Sequence, residues 1–228
     1  MSGKKVLLVL TSSGLEGCGG EGHAGFFLSE LAHPYETFVS AGATVTIASV
    51  AGGAAHVAAA SLGEPFYDAV SKAFWEDESK KVLTQQTKAL SEYSGKDFDV
   101  VLYVGGYGTM TDFPTSKDVA RVGEEVYTAG GHVAAVCHGP SALFNIKIGD
   151  EYLVKGKTVV AFTNEEEAIM GNPAMPNNET CEDVLVARGA TFSKGEPWSA
   201  TVVSSDRVHT GQNPSSAGAL ADAIIAAL

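Results

Sequence analysis

Short apolar runs recur along the chain, with amphipathic stretches between them. The amphipathic stretches have helical spacing and include residues 26–41 and 117–128. The apolar runs are rich in Val and uncharged, which is typical of strands buried on both faces of a sheet. We assign these strands to residues 6–10, 44–50, 100–104, 133–136 and 158–162. The alternation predicts right-handed βαβ units and an α/β fold, a three-layer sandwich whose central sheet is mostly parallel.

The remaining segments are assigned from composition. Residues 64–94 turn polar and aromatic, which predicts a helical insertion or cap within a single domain of residues 1–228. Residues 171–200 hold three of the eight prolines and a short helical patch at 180–188, so we expect irregular cover over one sheet edge. Residues 214–228 are rich in Ala and almost uncharged, which predicts a final helix packed against the sheet.

Composition and charge exclude several classes of protein. With 45% hydrophobic and 18% charged residues, the 228-residue chain can bury a core, which excludes global disorder. The net charge of −12 repels phosphate backbones and anionic lipid surfaces, so we expect neither nucleic acid nor membrane as a partner. The first apolar run is too short for a secretory signal, and three cysteines are an odd number for a disulfide framework. We therefore expect a cytoplasmic protein with reduced thiols.

The strongest chemical signal is the sequence C-H-G-P directly after the strand at 133–136. It places Cys137 at a strand-to-helix turn, with the small residues Ala135 and Gly139 two positions away on each side, as a nucleophile elbow requires. A thiol at that point faces unpaired N–H groups at the start of a helix, which favours the reactive thiolate. A small buried cysteine that ends a core strand is the alternative, and the C-H-G-P context disfavours it.

A glycine-rich loop belongs at the same edge of the sheet. Gly105-Gly106-Tyr107-Gly108 follows the strand at 100–104, and the carboxyl ends of parallel strands share one edge. The N–H groups of this loop and of His138 fit an oxyanion hole, because glycines let the backbone approach a substrate oxygen closely. An ordinary glycine turn is an equally good interpretation of these residues alone.

Glu30 lies in the middle of a predicted helix, in an apolar neighbourhood that includes Phe27 and Leu31. A carboxyl group in such surroundings needs a partner or has a raised pKa. Pro34, four residues on, removes the N–H that would bond the Glu30 carbonyl and so bends the helix at this point. A solvated helix face is the alternative.

Three other features receive no role. Cys18 lies in a glycine-rich loop and Cys181 beside two acidic residues, and neither setting favours a thiolate. Residues 17–22 spell G-x-G-x-x-G, but they lie too far from the first strand and beside acidic residues that repel a pyrophosphate. Cys18, Glu21 and His23 amount to half a metal site, since structural zinc takes four ligands. We therefore predict no metal.

Six motifs together are far more specific than any one of them. They are K-K-V-L-L-V-L-T at 4–11, F-F-L-S-E-L-A-H-P at 26–34, G-G-Y-G-T-M-T-D-F-P at 105–114, A-A-V-C-H-G-P at 134–140, F-T-N-E-E-E at 162–167 and T-G-Q-N-P at 210–214. A chain with these motifs resembles the ThiJ/PfpI superfamily, in particular its branch of glutathione-independent glyoxalases III and chaperone-like stress proteins. The resemblance spans nearly the whole sequence and implies a flavodoxin-like, amidotransferase-like fold.

The resemblance also implies roles for residues at the matching positions. Cys137 is implied as the nucleophile, His138 as the proton carrier and Glu30 as the carboxyl group that contacts the thiol. Glu167, in the acidic run at 165–167, is implied as the partner of the histidine.

Substrate contacts are implied at the glycine-rich loop. Gly106 supplies an oxyanion donor together with the His138 N–H, and Tyr107 lies beside the substrate. Tyr107 departs from the pattern of this branch, whose members commonly have His between the glycines. The pattern leaves open which substrate fits beside the tyrosine.

The implied activity is conversion of methylglyoxal to D-lactate, with glyoxal as a second small carbonyl substrate, by covalent cysteine catalysis without a cofactor. Three alternatives stay open: an oxidation sensor built on Cys137, a cysteine amidohydrolase or deglycase of the same superfamily, and a stress-induced holdase. The holdase would bind unfolding chains through aromatic surface at Phe66, Tyr67, Phe74 and Trp75. The resemblance also implies a homodimer as the oligomeric state to test.

Overall fold

The computed structural model describes residues 1, 3–14, 24–171 and 179–228. Its strands are β1 (Lys5–Leu10), β2 (Thr44–Ser49), β3 (Lys88–Ala89), β4 (Val100–Tyr103), β5 (His132–Val136), β6 (Lys147–Ile148), β7 (Glu151–Tyr152), β8 (Thr158–Val159), β9 (Thr191–Phe192), β10 (Val202–Ser205) and β11 (Val208–Gly211). Its α-helices are α1 (Leu28–Ser40), α2 (Ala69–Glu76), α3 (Glu78–Gln85), α4 (Thr109–Asp112), α5 (Lys117–Thr128), α6 (Asn164–Met170), α7 (Cys181–Ala187) and α8 (Ala217–Ala227). Within these ranges no helix is long and apolar enough to cross a membrane.

The central sheet confirms the α/β class. In the described part of the chain it has seven strands in the order β10-β11-β5-β4-β1-β2-β3. Neighbouring strands are parallel except for the antiparallel pair β10–β11. From β1 the chain builds one side of the sheet through β2 and β3, and then crosses to build the other side from β4. This reversal opens a crevice at the carboxyl ends of β1 and β4, the usual place for a ligand in open α/β sheets.

Helices cover both faces of the sheet, and the side chains of β1 show why. Alternate residues of a strand point to opposite faces. Leu8 belongs to a core with α1 and α8, whereas Leu7 and Val9 belong to a second core with α5 and α7. All of β1 after Lys5 is fully buried, which explains the uninterrupted apolar run that the sequence shows there.

Most of the predicted elements are confirmed. The strands expected at 6–10, 44–50, 100–104 and 133–136 are β1, β2, β4 and β5, with ends that differ by one residue at most. The helix expected at 117–128 is α5, whose amino end is capped by the Ser116 side chain. The final helix is α8, which follows a short 3₁₀ turn at Pro214–Ser216.

The prediction of a sheet strand at 158–162 is wrong. Only Thr158–Val159 is extended in a ladder, and it pairs with β9 outside the central sheet. The next residue, Val160, donates its N–H to the Thr210 side chain instead of to a neighbouring strand. Its place in the sheet is taken by β11, whose sequence V-H-T-G lacks an apolar signature. The run at 158–162 is apolar because it is buried: Val159 and Ala161 belong to one core and Phe162 to the other.

The segment at 64–94 contains the helices α2 and α3, each begun by an aspartate side chain that accepts a backbone N–H, Asp68 and Asp77. After these helices the chain forms β3, which joins the edge of the central sheet. Of the four aromatic residues expected at this surface, Phe74 is fully buried, whereas Phe66, Tyr67 and Trp75 are partly exposed.

Two histidines, the buried His209 and the half-buried His132, lie near the amino ends of neighbouring strands, at the opposite edge from the crevice. Nδ1 of His132 in β5 lies 2.8 Å from Nε2 of His209 in β11. Nδ1 of His209 lies 2.8 Å from the Ser204 hydroxyl. Burial, with a smaller contribution from His132, lowers the pKa of His209 to about 4. Burial also lowers the pKa of His132.

We expect acid to destabilise the fold through this pair. The unfolded chain binds a proton at histidine near pH 6.5, whereas His209 in the folded chain resists protonation down to about pH 4. Stability is therefore complete above pH 6.5 and is lost as the pH falls toward 4. In His209→Gln this acid-induced loss should shrink by about 2 kcal/mol, measured by urea unfolding at a series of pH values. The exposed His56 gives the control His56→Gln, and equal pH responses in the two variants would contradict the prediction.

Candidate active site

Cys137 lies at the carboxyl end of β5, in the crevice where the strand order reverses. Its backbone is left-handed, with a φ of 61°, which is uncommon for a residue with a side chain. The backbone holds this conformation from both sides, since the Cys137 N–H donates to the Gly211 carbonyl and the Phe162 N–H donates to the Cys137 carbonyl. A β-carbon at Gly139 would collide with the Tyr103 carbonyl, so the turn requires glycine there. The strained turn expected of a nucleophile elbow is present.

His138 connects the thiol to a carboxylate. Its Nδ1 lies 3.3 Å from Sγ of Cys137, and its Nε2 lies 2.8 Å from Oε1 of Glu167. Glu167 reaches the histidine from the first turn of α6. The imidazole is held between aromatic rings, with Phe162 at 4.4 Å and Tyr107 at 5.3 Å between ring centroids. Thiol, imidazole and carboxylate therefore form a continuous line of contacts.

Glu30 approaches the thiol from the other side. It lies in the first turn of α1 and is fully buried, which rules out a solvated helix face. A β-carbon at Gly105 would collide with Oε2 of Glu30 and crowd Cβ of Cys137, so the glycine is what lets the carboxyl group and the cysteine meet. Both carboxyl oxygens lack a hydrogen bond of normal geometry, and the Gly105 N–H and the Cys137 thiol only partly offset the cost of burial.

Burial dominates the electrostatics of this pair. It raises the pKa of Glu30 well above its ordinary value of 4.5. Burial, followed by the charge of Glu30, also raises the pKa of the Cys137 thiol. The expectation that a helix start favours the thiolate is therefore wrong for the resting protein, because the thiol is 4% exposed and is followed by a 3₁₀ helix, Gly139–Asn145.

A small cavity of about 170 Å³ opens onto the thiol and the imidazole. This volume is well below the roughly 300–1,000 Å³ of sites for drug-sized ligands, so the cavity suits a molecule of a few atoms. Its wall is mostly aromatic and aliphatic. The lining residues are Phe27, Ala58, Ala60, Glu64, Phe66, Gly106, Tyr107, Cys137, His138, Phe162, Met170, Trp198 and Pro214.

The glycine-rich loop lies where the sequence predicts it. Gly106, with a φ of 109°, and Tyr107 both line the cavity. A β-carbon at Gly106 would lie 2.6 Å from the Gly25 carbonyl oxygen, so this backbone approaches its neighbours too closely for any other residue. The His138 N–H points toward the sulfur, where it partly counters the rise in the pKa of the thiol. The His138 N–H is thus a donor beside the sulfur, and Gly106 lines the same cavity.

Sequence reasoning missed Trp198 and Glu166. Trp198 lines the cavity in a left-handed conformation, with a φ of 63°. Glu166 is fully buried and accepts the Trp198 N–H at 2.9 Å. The signal for Glu166 was the pattern T-N-E-E, since a Thr followed three residues later by Glu is a capping box. Nothing in the sequence around Trp198 indicates that it reaches the cavity.

The cysteines without an assigned role lie apart from the cavity. Cys181 is buried in the core beneath the sheet, 3.5 Å from the Met110 sulfur, and burial raises the pKa of its thiol. Cys18, Glu21, His23 and the glycine-rich run at 17–22 lie outside the described residues. Among the residues that the structure does describe, no three His, Cys, Asp or Glu side chains cluster as metal ligands would.

The fold and this site define a class of protein: an α/β chain with a cysteine elbow between a buried carboxyl group and a histidine–carboxylate pair. The DJ-1/PfpI family matches residues 23–227, and the chain belongs to that family. It is similar to Glyoxalase 3 of Candida albicans, with 34% identity over 98% of each chain. It is also similar to the glutathione-independent glyoxalase HSP31 of Saccharomyces cerevisiae, with 33% identity over 100% of this chain and 99% of that one. The crystal structure of Candida albicans glyoxalase III superposes with a TM-score of 0.87 and 32% identity, over 99% of this chain and 97% of that one.

We expect Glu30→Gln to stabilise the fold. Because burial raises the pKa of Glu30, ionising the carboxyl group costs free energy, and stability is lost as the pH rises from 4.5 toward the raised value. The amide has no charge to bury, so its advantage should grow with pH. An advantage of about 1 kcal/mol raises the melting temperature by roughly 2–4 °C in a chain of this size.

Differential scanning calorimetry at acidic and weakly alkaline pH checks this expectation. Glu165→Gln, at an exposed neighbour of the site, is the matched control and should show no pH-dependent difference from the wild type. A Glu30→Gln variant that melts below the wild type at alkaline pH would show that the carboxylate is stabilised where it lies.

Proposed function

We propose that this protein is a glutathione-independent glyoxalase that converts methylglyoxal to D-lactate through a covalent bond to Cys137. One observation carries the proposal: the thiol lies between Glu30 and the His138–Glu167 pair, at the wall of a cavity of about 170 Å³. Relatives that match nearly the whole chain are named glyoxalase 3 and glutathione-independent glyoxalase. The reaction then follows from the chemistry of the substrate and the position of each group.

The first step is addition of the Cys137 sulfur to the aldehyde carbon. A bond forms between sulfur and carbon, the thiol loses its proton, and the aldehyde oxygen gains one, which gives a hemithioacetal. In this scheme the ionised form of Glu30 accepts the thiol proton, and the proton reaches the aldehyde oxygen by way of water, so no proton is gained or lost overall. Its raised pKa makes it a stronger base than an ordinary carboxylate and brings it closer to the pKa of the thiol. The N–H groups of Gly106 and His138 stabilise the negative charge that develops on the oxygen.

The second step moves hydrogen between the two substrate carbons. A base removes the proton from the former aldehyde carbon to give an enediol, and the proton is returned to the adjacent carbon, which yields a lactoyl thioester on Cys137. His138 is placed for this role because it lines the cavity, whereas Glu30 is buried behind the thiol. The Glu167 carboxylate stabilises the imidazolium that forms while His138 holds the proton.

The last step is hydrolysis of the thioester. Water adds to the thioester carbonyl, the carbon–sulfur bond breaks, and lactate leaves with the thiol restored. One substrate carbon has been oxidised and its neighbour reduced, so the electrons balance within the substrate. Delivery of the proton to one face of the enediol fixes the product as the D isomer in this proposal.

Removal of the nucleophile is the direct test. Cys137→Ala should reduce D-lactate formation from methylglyoxal to the uncatalysed rate in buffer without glutathione, because no thioester can form. Cys181→Ala is the matched control, since that cysteine is also buried but does not line the cavity, and it should keep most of the activity. Product is measured with stereospecific D- and L-lactate dehydrogenases.

Turnover of methylglyoxal by Cys137→Ala at the wild-type rate would disprove the covalent mechanism. A wild type that is inactive while its Cys137 thiol is intact by mass spectrometry would disprove the proposed substrate, and Tyr107 would then be the first position to vary. L-lactate as the product would leave the thioester in place and overturn the stereochemical part alone.

A second test addresses the histidine–carboxylate pair. Glu167→Gln keeps an oxygen for the His138 ring but removes the charge, so kcat should fall by about 10²-fold with little change in the fold. The exposed Glu165, two positions earlier on the same helix, provides the control Glu165→Gln. Equal kcat values for the two variants would show that Glu167 does not assist proton transfer.

A further inference from the structure

The wall of the cavity contains a chain of aromatic rings in which Trp198 lies between Phe162 and Phe66. The Trp198 ring packs on Phe162 at 5.7 Å and on Phe66 at 5.9 Å between centroids, and Phe66 packs edge-on against Phe27 at 5.1 Å. All four rings line the cavity. Trp198 is the member held on an irregular loop, between β9 and β10, and its backbone is in the left-handed region. Its position therefore depends on what fixes that loop.

The loop is fixed by Glu166, a fully buried carboxylate that makes five hydrogen bonds. Oε2 accepts the N–H and the hydroxyl of Thr163, each at 3.0 Å. Oε1 accepts the Trp198 N–H at 2.9 Å. The same oxygen accepts the side-chain amides of Asn213 at 2.8 Å and Gln212 at 3.2 Å. Every partner is a donor, so both oxygens must act only as acceptors.

Gln212 ties the same loop down at a second point. Its Oε1 accepts the Gly195 N–H at 2.9 Å, while its Nε2 donates to Glu166. Glu166 thus joins the start of α6, the turn after β11 and the Trp198 loop into one buried network. The next residue, Glu167, contacts His138, so neighbouring carboxylates serve the cavity wall and the imidazole separately.

We propose that Glu166 is a positioning residue that sets substrate selectivity by holding Trp198 against the cavity. This inference rests on the proposed function, and it names the substrate class: small aldehydes whose carbonyl substituent is apolar and packs on the aromatic wall. Burial of one methyl group against such a wall is worth about 0.8 kcal/mol, which is about fourfold in kcat/KM. The wall should therefore favour methylglyoxal over glyoxal by this factor, beyond their intrinsic reactivities.

The test compares kcat/KM for methylglyoxal and glyoxal in Glu166→Gln. The amide nitrogen of Gln would face a donor wherever it points, so the network cannot close and the Trp198 loop is released. We expect the ratio of the two kcat/KM values to fall up to about fourfold, through a higher KM for methylglyoxal, with kcat for glyoxal within about twofold of the wild type. Trp198→Ala, which removes the wall itself, should lower the ratio similarly.

Fluorescence reports the position of the ring independently of turnover. The chain has two tryptophans, so in a Trp75→Phe background the emission comes from Trp198 alone. Glu166→Gln should shift this emission to longer wavelength as the ring becomes solvated. Gln212→Ala, which weakens the second anchor of the loop, should do the same if Glu166→Gln does not fold. Glu165→Gln is the control and should change neither the emission nor the ratio.

Three other outcomes would each overturn a different part of the proposal. An unchanged ratio in Trp198→Ala would overturn the contact between wall and substituent. A lowered ratio in Trp198→Ala, with emission and ratio unchanged in Glu166→Gln, would overturn the role of Glu166. A wild type that turns over neither aldehyde would overturn the proposed function and the proposed substrate selectivity together. The Trp198 fluorescence would then test only whether Glu166 holds the Trp198 ring in place.

Discussion

The site depends on two acidic groups, a carboxyl group and a thiol, that meet where water is excluded. Charge is costly in such a place, so burial raises the pKa of both groups and pushes each toward its neutral form. The approach of Glu30 to Cys137 requires that Gly105 have no side chain, and the left-handed turn at Cys137 requires the same of Gly139. The fold thus gives up stability at this point to hold a base and a nucleophile together.

Two consecutive residues of α6, Glu166 and Glu167, have different roles around the thiol. Glu166 points inward, and both of its carboxylate oxygens accept hydrogen bonds. Glu167 turns toward His138. Their side chains leave the helix about 100° apart, since an α-helix has 3.6 residues per turn. One carboxylate orders the chain around the site, and the other is left to take part in proton transfer.

Hydrophobic periodicity and residues that begin or end helices were enough to predict much of the fold from the sequence. The class, four sheet strands and the elbow followed from uncharged Val-rich runs and from C-H-G-P, and Glu167 followed from a motif and not from its own surroundings. The strand β11 was missed because its residues V-H-T-G carry no strand pattern. The run at 158–162 was assigned to the central sheet because burial outside that sheet produces the same apolar signature as burial within it. Trp198 could not be found, since a loop residue reaches a cavity only through tertiary contacts.

Part of the cavity wall comes from segments that carry none of the reacting groups. Phe66 belongs to the segment that contains α2 and α3, and Trp198 to the loop before β10, while the nucleophile and its partners lie on β5, α1 and α6. Mutations in the first set can therefore reshape the space for a substrate without disturbing the turn that carries the cysteine. Such a separation gives evolution a route to new substrates from one ancestral chemistry, with each change tested by selection while the catalytic apparatus is kept intact.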